Sequence, residues 1–143
     1  MKKLLFLAVT IIMAISASAQ EKSVAEFTEK THDFGVIKEE DGRVSYVFEF
    51  KNITQTPLTI KNVRASCGCT TPNWSKEPIA PEGNGTITVT YNAKGRPGAF
   101  HKSVTVTLSN GTEDFTQVLF IKGQVTPAPK PEVAAQPAQP ATK

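Results

Sequence analysis

The chain has 143 residues, 39% of them hydrophobic, and a formal net charge of +3, a length that suits one domain with a hydrophobic core. Residues 24–125 contain eleven basic and eleven acidic side chains, so the excess positive charge comes from the ends of the chain. A neutral segment lacks the basic patch that a nucleic-acid or polyanion partner requires, and we expect no nucleic-acid binding.

Residues 1–19 have the composition of a secretory signal peptide. Lys2 and Lys3 form a charged start, residues 4–15 are almost entirely apolar, and residues 17–19 supply small side chains for a signal peptidase. The apolar run is too short for a good membrane anchor, and no cysteine near the cleavage point could carry a lipid. We therefore expect a periplasmic or secreted protein with no stable membrane insertion after cleavage.

The middle of the chain alternates between apolar and polar residues with the period of two that is typical of half-buried strands. The clearest case is residues 43–51, where every second residue is apolar, at Val44, Tyr46, Phe48 and Phe50. The strands predicted in this way lie at residues 24–27, 34–37, 43–51, 58–60, 87–91, 100–108 and 115–125.

Glycine-containing turns separate these strands, and no helical pattern lies between them. About seven strands in about 100 residues predict an all-β fold, an antiparallel immunoglobulin-like β-sandwich over residues 24–125. The apolar positions of the alternating segments predict the core. The residues expected to face inward are Tyr46, Phe48, Phe50, Ile60, Ile87, Val89, Tyr91, Val104, Val106, Leu119 and Ile121.

Residues 126–143 hold five of the ten prolines, mixed with alanine, glutamine and threonine. This composition cannot bury a core and favours extended polyproline conformations. We expect a Pro/Ala-rich disordered tail, which either has no partner or serves as a spacer that holds the domain away from a surface.

Cys67 and Cys69 are the only cysteines of the chain, and Gly68 alone separates them. A disulfide between them would close a very small ring, worth only about 1.6 kcal/mol by the chain-entropy relation. Three alternatives follow: a local disulfide that shapes a loop, a redox-active dithiol, or a soft-metal site for copper or zinc. A metal site would need further ligands, and His32 and His101 are the only imidazoles.

Two further positions have competing interpretations. Trp74 is predicted to pack at the edge of the sandwich, and contact with a ligand or partner is the alternative. His32 and Asp33 could suggest an acid–base pair, but neighbours on a strand point to opposite faces, so we expect a solvated dipeptide. No other catalytic constellation is visible, so we expect a protein that is not an enzyme and has no cofactor.

Several short motifs occur in an order that resembles the uncharacterised bacterial family DUF1573, which is common among exported proteins. The Cys-Gly-Cys-Thr element is the most specific of them, and the resemblance covers roughly residues 27–125. It implies an immunoglobulin-like sandwich and brings no established activity. The motifs lie at residues 32–37, 46–52, 57–60, 66–72 and 79–81.

The leading hypothesis is an exported, non-enzymatic immunoglobulin-like module for protein interaction or cell-envelope structure. Its partner would be an unknown protein or envelope component. The alternative is a soft-metal binding or thiol-redox module that acts through Cys67 and Cys69. The sequence leaves the oligomeric state and the redox state of these cysteines open.

Overall fold

The computed structural model of the chain describes residues 23–129, which form eight strands and one short 3-10 turn. The predicted signal peptide and most of the predicted tail, residues 130–143, lie outside the described residues. No helix within 23–129 is long and apolar enough to cross a membrane. The elements are β1 (Ala25–Phe27), β2 (Thr31–Lys38), the turn Glu39–Asp41, β3 (Arg43–Asn52), β4 (Thr59–Ala65), β5 (Thr70–Trp74), β6 (Asn84–Asn92), β7 (Gly98–Ser109) and β8 (Asp114–Thr126).

The strands form two four-stranded sheets. The first sheet has the order β1-β3-β6-β5, and the second has the order β2-β8-β7-β4. All neighbouring strands are antiparallel except β2 and β8, which are parallel. The structure therefore confirms the all-β sandwich. It corrects two details of the prediction, since residues 23–129 contain eight strands rather than about seven and one pair of them is parallel.

The parallel pair arises because the first part of the chain changes sheets. β1 pairs with β3 in the first sheet, and after residues 28–30 the chain continues as β2 beside β8 in the second sheet. A β-bulge interrupts β2 at Gly35, whose φ of 65° is readily adopted by glycine. β8 ends at Thr126, one residue beyond the predicted domain boundary.

The predicted core is confirmed almost completely. Ten of the eleven residues expected to face inward are buried, and Tyr46 is half-buried at the side of the sandwich. Phe48, Ile87, Val89, Val104, Val106, Leu119 and Ile121 are fully enclosed between the sheets. The core therefore follows directly from the period-two alternation of the strands.

Candidate functional site

Cys67 and Cys69 lie in the corner where the chain crosses from one sheet to the other. β4 ends at Ala65 on the edge of the second sheet, and β5 begins at Thr70 on the edge of the first. A disulfide joins the two cysteines, whose Cα atoms are 5.3 Å apart. Of the three sequence-based alternatives, the structure contains the local disulfide, and bonded sulfurs are not thiolate ligands for a metal.

The two sulfurs have different surroundings. Cys69 is only 7% exposed and belongs to the core, whereas Cys67 is half-buried and Gly68 between them is exposed. The hydroxyl of Thr70 lies 3.7 Å from the Cys67 sulfur and 3.8 Å from the Cys69 sulfur. The corner thus places one sulfur in the core and leaves the other partly accessible.

Backbone hydrogen bonds attach this corner to both sheets. The Ser66 N–H donates to the Ser103 carbonyl of β7 at 2.9 Å. The Asn92 N–H of β6 donates to the Cys69 carbonyl, also at 2.9 Å. Because the disulfide ring lies between these two attachments, it fixes the point at which β5 begins.

β5 is the strand that the sequence did not predict, because Pro72 interrupts it and its residues do not alternate. The Asn92 N–H of β6 bonds to the Cys69 carbonyl, and backbone groups alternate in direction along an antiparallel strand. Cys69, Thr71 and Asn73 therefore direct their backbone N–H and C=O groups toward β6. Pro72 falls between them, where an N–H would point away from β6. Proline is tolerated at such a position only because β5 is an edge strand.

Trp74 secures the other end of β5. Its side chain is half-buried against the core, and its indole Nε1–H donates to the Ile60 carbonyl of β4 at 3.2 Å. The ammonium of Lys76 lies 3.6 Å from the centre of the indole ring. Trp74 therefore packs at the edge of the sandwich, as predicted, and ties the edge strands of the two sheets together.

The outer surface of the first sheet carries a group of uncharged side chains on three adjacent strands, which we call the uncharged face. The register of β3, β6 and β5 arranges its members in two rows across the sheet. Val47 is 44% exposed, and the hydroxyls of Ser45 and Thr90 are 2.8 Å apart. The two rows are Ser45–Thr90–Thr71 and Val47–Thr88–Asn73.

Sequence reasoning did not find the uncharged face. The threonines that alternate along β6 are visible in the sequence, but their neighbours across the sheet depend on register. The third strand of the face is β5, which was not predicted. On β3 the face is bordered by the charged residues Arg43 and Glu49.

The two histidines lie on different strands of the second sheet, His32 on β2 and His101 on β7. His32 is on β2, at the opposite edge of the second sheet from β4, and its ring stacks on Tyr46 with centroids 3.5 Å apart. His101 is exposed and stacks on Phe120 at 5.2 Å. Within residues 23–129, no group of three or more His, Cys, Asp or Glu side chains is placed to hold a metal ion.

The environment of His32 also corrects a prediction. The dipeptide was expected to be solvated, but His32 is half-buried and its Nδ1 lies 3.1 Å from the carboxylate of Glu29. Hydrogen bonds from Tyr46 and His32 lower the pKa of Glu29, and the bond to Glu29 raises the pKa of Tyr46. Both shifts move the pKa further from neutrality, whereas a general acid or base works best with a pKa near neutral.

Several solved structures share the fold. A protein of unknown function from Porphyromonas gingivalis W83 is 15% identical with a TM-score of 0.57, over 71% of this chain and 46% of that one. The VesB protease of Vibrio cholerae is 13% identical with a TM-score of 0.61, over 71% of this chain and 32% of that one. The YadV chaperone is 14% identical with a TM-score of 0.50, over 73% and 52%.

At these identities the likeness concerns the fold alone, and this chain aligns with only about a third to a half of each of those proteins. A search of curated protein sequences found no match. The model of one family, described as a protein of unknown function, matches residues 25–125, well over half of the chain. The matched segment includes the disulfide corner, β5 and the uncharged face, and the chain belongs to the DUF1573 family.

Proposed function

We propose that this protein is an exported, non-enzymatic immunoglobulin-like module that binds a protein or another component of the cell envelope. The observation that carries this proposal is the uncharged face. It places six uncharged side chains on three strands, with charged residues at its border. The centres of protein interfaces are depleted in charged residues, and this face shares that lack of charge.

The disulfide corner and Trp74 give this face its rigidity. They hold the two ends of β5, which contributes Thr71 and Asn73. A face built on fixed strands loses little conformational freedom when a partner binds, so more of the contact energy remains as affinity. Cys67, Cys69 and Trp74, which the sequence analysis considered as redox, metal-binding or contact residues, therefore support the strand that completes the uncharged face.

Three observations support the remaining parts of the proposal. Export is supported by the signal-peptide pattern and by the disulfide, because disulfides persist in oxidising compartments. A non-enzymatic role is supported by the Glu29 and Tyr46 pair, whose pKa values move away from neutrality. These groups are hydrogen-bonded to each other and stabilise the side of the sandwich.

Site-specific photo-crosslinking tests the proposal. Thr88, in the middle of the uncharged face, is replaced by p-benzoylphenylalanine, and the exported protein is irradiated in intact cells. The matched control carries the same residue at Thr105, which lies on the outer surface of the second sheet opposite Val118. We expect a discrete crosslinked product from Thr88 that is absent from Thr105 and is lost when Thr71→Glu is added. Equal products at both positions, or none at Thr88, would contradict the proposal.

Thiol–disulfide exchange is a second candidate, and the partial exposure of Cys67 favours it. A thiolate from an external dithiol would attack the Cys67 sulfur, and Cys69 would leave as a thiolate close to the Thr70 hydroxyl. Equilibration in glutathione buffers tests this candidate. An active pair should have a potential well above the roughly −300 mV typical of structural disulfides.

Titration of the reduced protein with copper(I) tests the soft-metal version of the same site.

A further inference from the structure

The hairpin between β7 and β8 carries the dipeptide Asn110-Gly111 at its tip. β7 ends at Ser109 and β8 begins at Asp114, so residues 110–113 form the turn. Asn110 is half-buried and Gly111 is exposed, so water reaches the dipeptide. The side-chain amide carbon of an asparagine can be attacked by the next backbone nitrogen, and a following glycine has no side chain to hinder that approach. The dipeptide is therefore a candidate for a covalent rearrangement.

Hydrogen bonds fold the Asn110 side chain over the peptide group that follows it. Its Oδ1 accepts from the Thr112 N–H at 2.9 Å and from the Glu113 N–H at 2.8 Å. A side-chain oxygen bonded to residues further along the chain makes a turn that encloses the Gly111 nitrogen. The same two donors would stabilise the negative charge that develops on Oδ1 when a nucleophile adds to the amide carbon, as backbone N–H groups do in an oxyanion hole.

The Gly111 nitrogen is not held in the sheet, because the paired stretch of β7 and β8 ends at Ser109 and Asp114. Its N–H donates to the Ser109 hydroxyl at 3.2 Å, at the long end of the usual range for such bonds. Gly111 has a φ of 90°, and among residues 23–129 no atom beyond its chain neighbours lies within 4 Å of the place that a Cβ would occupy. The turn therefore leaves room for this nitrogen to move toward the Asn110 side chain.

We propose that Asn110 is a site of spontaneous deamidation. The Gly111 backbone nitrogen forms a bond to the side-chain amide carbon of Asn110 and gives up its proton to water. The side-chain NH₂ group takes up a proton from water and leaves as ammonia, and the product is a cyclic succinimide. Water then opens the ring at either carbonyl, which gives aspartate or isoaspartate at position 110. The net reaction consumes one water molecule and releases one ammonia molecule, and nothing is oxidised or reduced.

The chain contains a second Asn-Gly dipeptide, Asn84-Gly85, and its surroundings should prevent the same reaction. Both residues lie in β6, where Gly85 is buried opposite Phe50 of β3 and a Cβ at Gly85 would overlap the Phe50 ring. The Asn92 N–H points to β5, and directions alternate along a strand, so the Gly85 N–H points to β3. Because the Gly85 nitrogen would have to leave this pairing to reach the amide, we expect Asn84 to react slowly.

Deamidation would change both the charge and the backbone of the hairpin. Residues 24–125 have equal numbers of basic and acidic side chains, so a new carboxylate would leave one acidic side chain in excess. It would stand close to Asp114, which pairs with Lys61 of β4. An aspartate keeps an oxygen for the two N–H donors of the turn, whereas isoaspartate adds a carbon atom to the main chain. The isoaspartate form should therefore loosen the end of the hairpin.

This inference goes beyond the proposed function and does not depend on it. The hairpin belongs to the second sheet, whereas the uncharged face lies on the first. Deamidation is measured on the purified protein without a partner. The result of the crosslinking experiment at Thr88 therefore neither supports nor contradicts it.

Peptide mapping by mass spectrometry of purified residues 20–143, incubated in mildly alkaline buffer, tests the proposal. A deamidated peptide gains the mass difference between a carboxyl group and an amide, and an isoaspartyl methyltransferase labels isoaspartate. We expect both aspartate and isoaspartate at position 110. Asn110 should react at least about tenfold faster than Asn84, because the barrier is lower where the nitrogen does not have to leave a strand.

The unfolded chain provides the matched control. Both dipeptides are followed by threonine, so in denaturant Asn84 and Asn110 should react at rates within about threefold of each other. Gly111→Ala should slow deamidation at Asn110 by at least about tenfold, since a Cβ hinders the attack. Circular dichroism checks that this variant folds, because a φ of 90° is strained for alanine.

Four results would overturn the proposal. In the folded wild type these are an Asn110 that stays as intact as Asn84, or a product at position 110 that contains aspartate alone. The third is a folded Gly111→Ala variant that deamidates as fast as the wild type. The fourth is a difference between the two sites that persists undiminished in denaturant, which would show that the fold does not select Asn110.

Discussion

At the scale of single residues, Asn52 shows how one buried polar side chain organises two loops. Its Nδ2 lies within hydrogen-bond distance of the carbonyls of Thr56, Ile79 and Ala80, at 2.9, 3.0 and 3.2 Å. Its Oδ1 accepts from the N–H and the hydroxyl of Thr54, at 2.9 and 2.8 Å. The side chain is fully buried, and its bond to the Ile79 carbonyl is buried with it.

Asn52→Ala should therefore lower the free energy of unfolding by at least about 2 kcal/mol, since several backbone groups lose their buried partner. The matched control is Asn84→Ala, an exposed asparagine at the start of β6, which should change stability by no more than about 0.5 kcal/mol. Chemical denaturation of both variants measures the difference. Similar losses in the two variants would show that the hydrogen bonds of Asn52 are not important for stability.

At the scale of elements, β5 depends on its two ends more than on its own sequence. It is five residues long, lies at an edge of the first sheet and contains Pro72. The disulfide fixes its beginning, and the bond from Trp74 to Ile60 fixes its end. Short edge strands contribute little cooperative stability, so local changes at either end should first loosen β5.

Replacing both Cys67 and Cys69 by serine should lower global stability by no more than about 2 kcal/mol, because the disulfide closes a very small ring. Hydrogen exchange should become faster at Thr71 and Asn73, while β3 keeps its protection. Ser66→Ala, one residue before the ring, is the control and should leave exchange in β5 unchanged. A variant that unfolds, or one whose β5 exchanges as in the wild type, would contradict this account of the corner.

At the scale of the whole molecule, three carboxyl groups on the surface of the sandwich have a lowered pKa because of a neighbouring donor or cation. The Gly35 N–H lowers the pKa of Asp33, the Lys61 ammonium lowers the pKa of Asp114, and the Tyr46 hydroxyl lowers the pKa of Glu29. All three are exposed or half-buried, so each contact contributes little alone. All three pKa shifts are downward, and this common direction determines how stability depends on pH.

Stability should be constant between about pH 5 and about pH 7 and should fall as the pH drops through about 4 and below. The reason is that a lowered pKa makes the folded protein bind fewer protons than the unfolded chain, so acid favours unfolding. Asp114→Asn should reduce this acid sensitivity, whereas Glu77→Gln, at an exposed carboxyl without an ion pair among the described residues, should not. Thermal melts from pH 3 to pH 7 measure both slopes, and equal slopes would contradict the prediction.

The charge balance of the domain leads to a further expectation. Equal numbers of basic and acidic side chains in residues 24–125 should give no measurable affinity for nucleic acid at physiological salt. Fluorescence anisotropy with labelled single- and double-stranded DNA measures this. Binding that weakens steeply with added salt would show that the fold concentrates its lysines and arginines on one surface.

The sequence by itself determined the features that depend on local alternation. In residues 43–51 every second side chain is apolar, so they were predicted as a strand, and the inward positions of β3, β6, β7 and β8 followed because period two needs no knowledge of neighbours. The family resemblance, carried mainly by the Cys-Gly-Cys-Thr element, was confirmed over residues 25–125. The signal-peptide prediction is also local, although residues 1–19 lie outside the described part of the chain.

Only the tertiary structure decided which strands are neighbours. β5 has no pattern of its own and exists because β6, the disulfide and Trp74 hold it in place. The parallel pairing of β2 with β8 and the uncharged face both depend on register between strands that are distant in sequence. A single strand does not encode its partner, since any strand offers the same backbone groups to either side, and packing of the whole sandwich makes the choice.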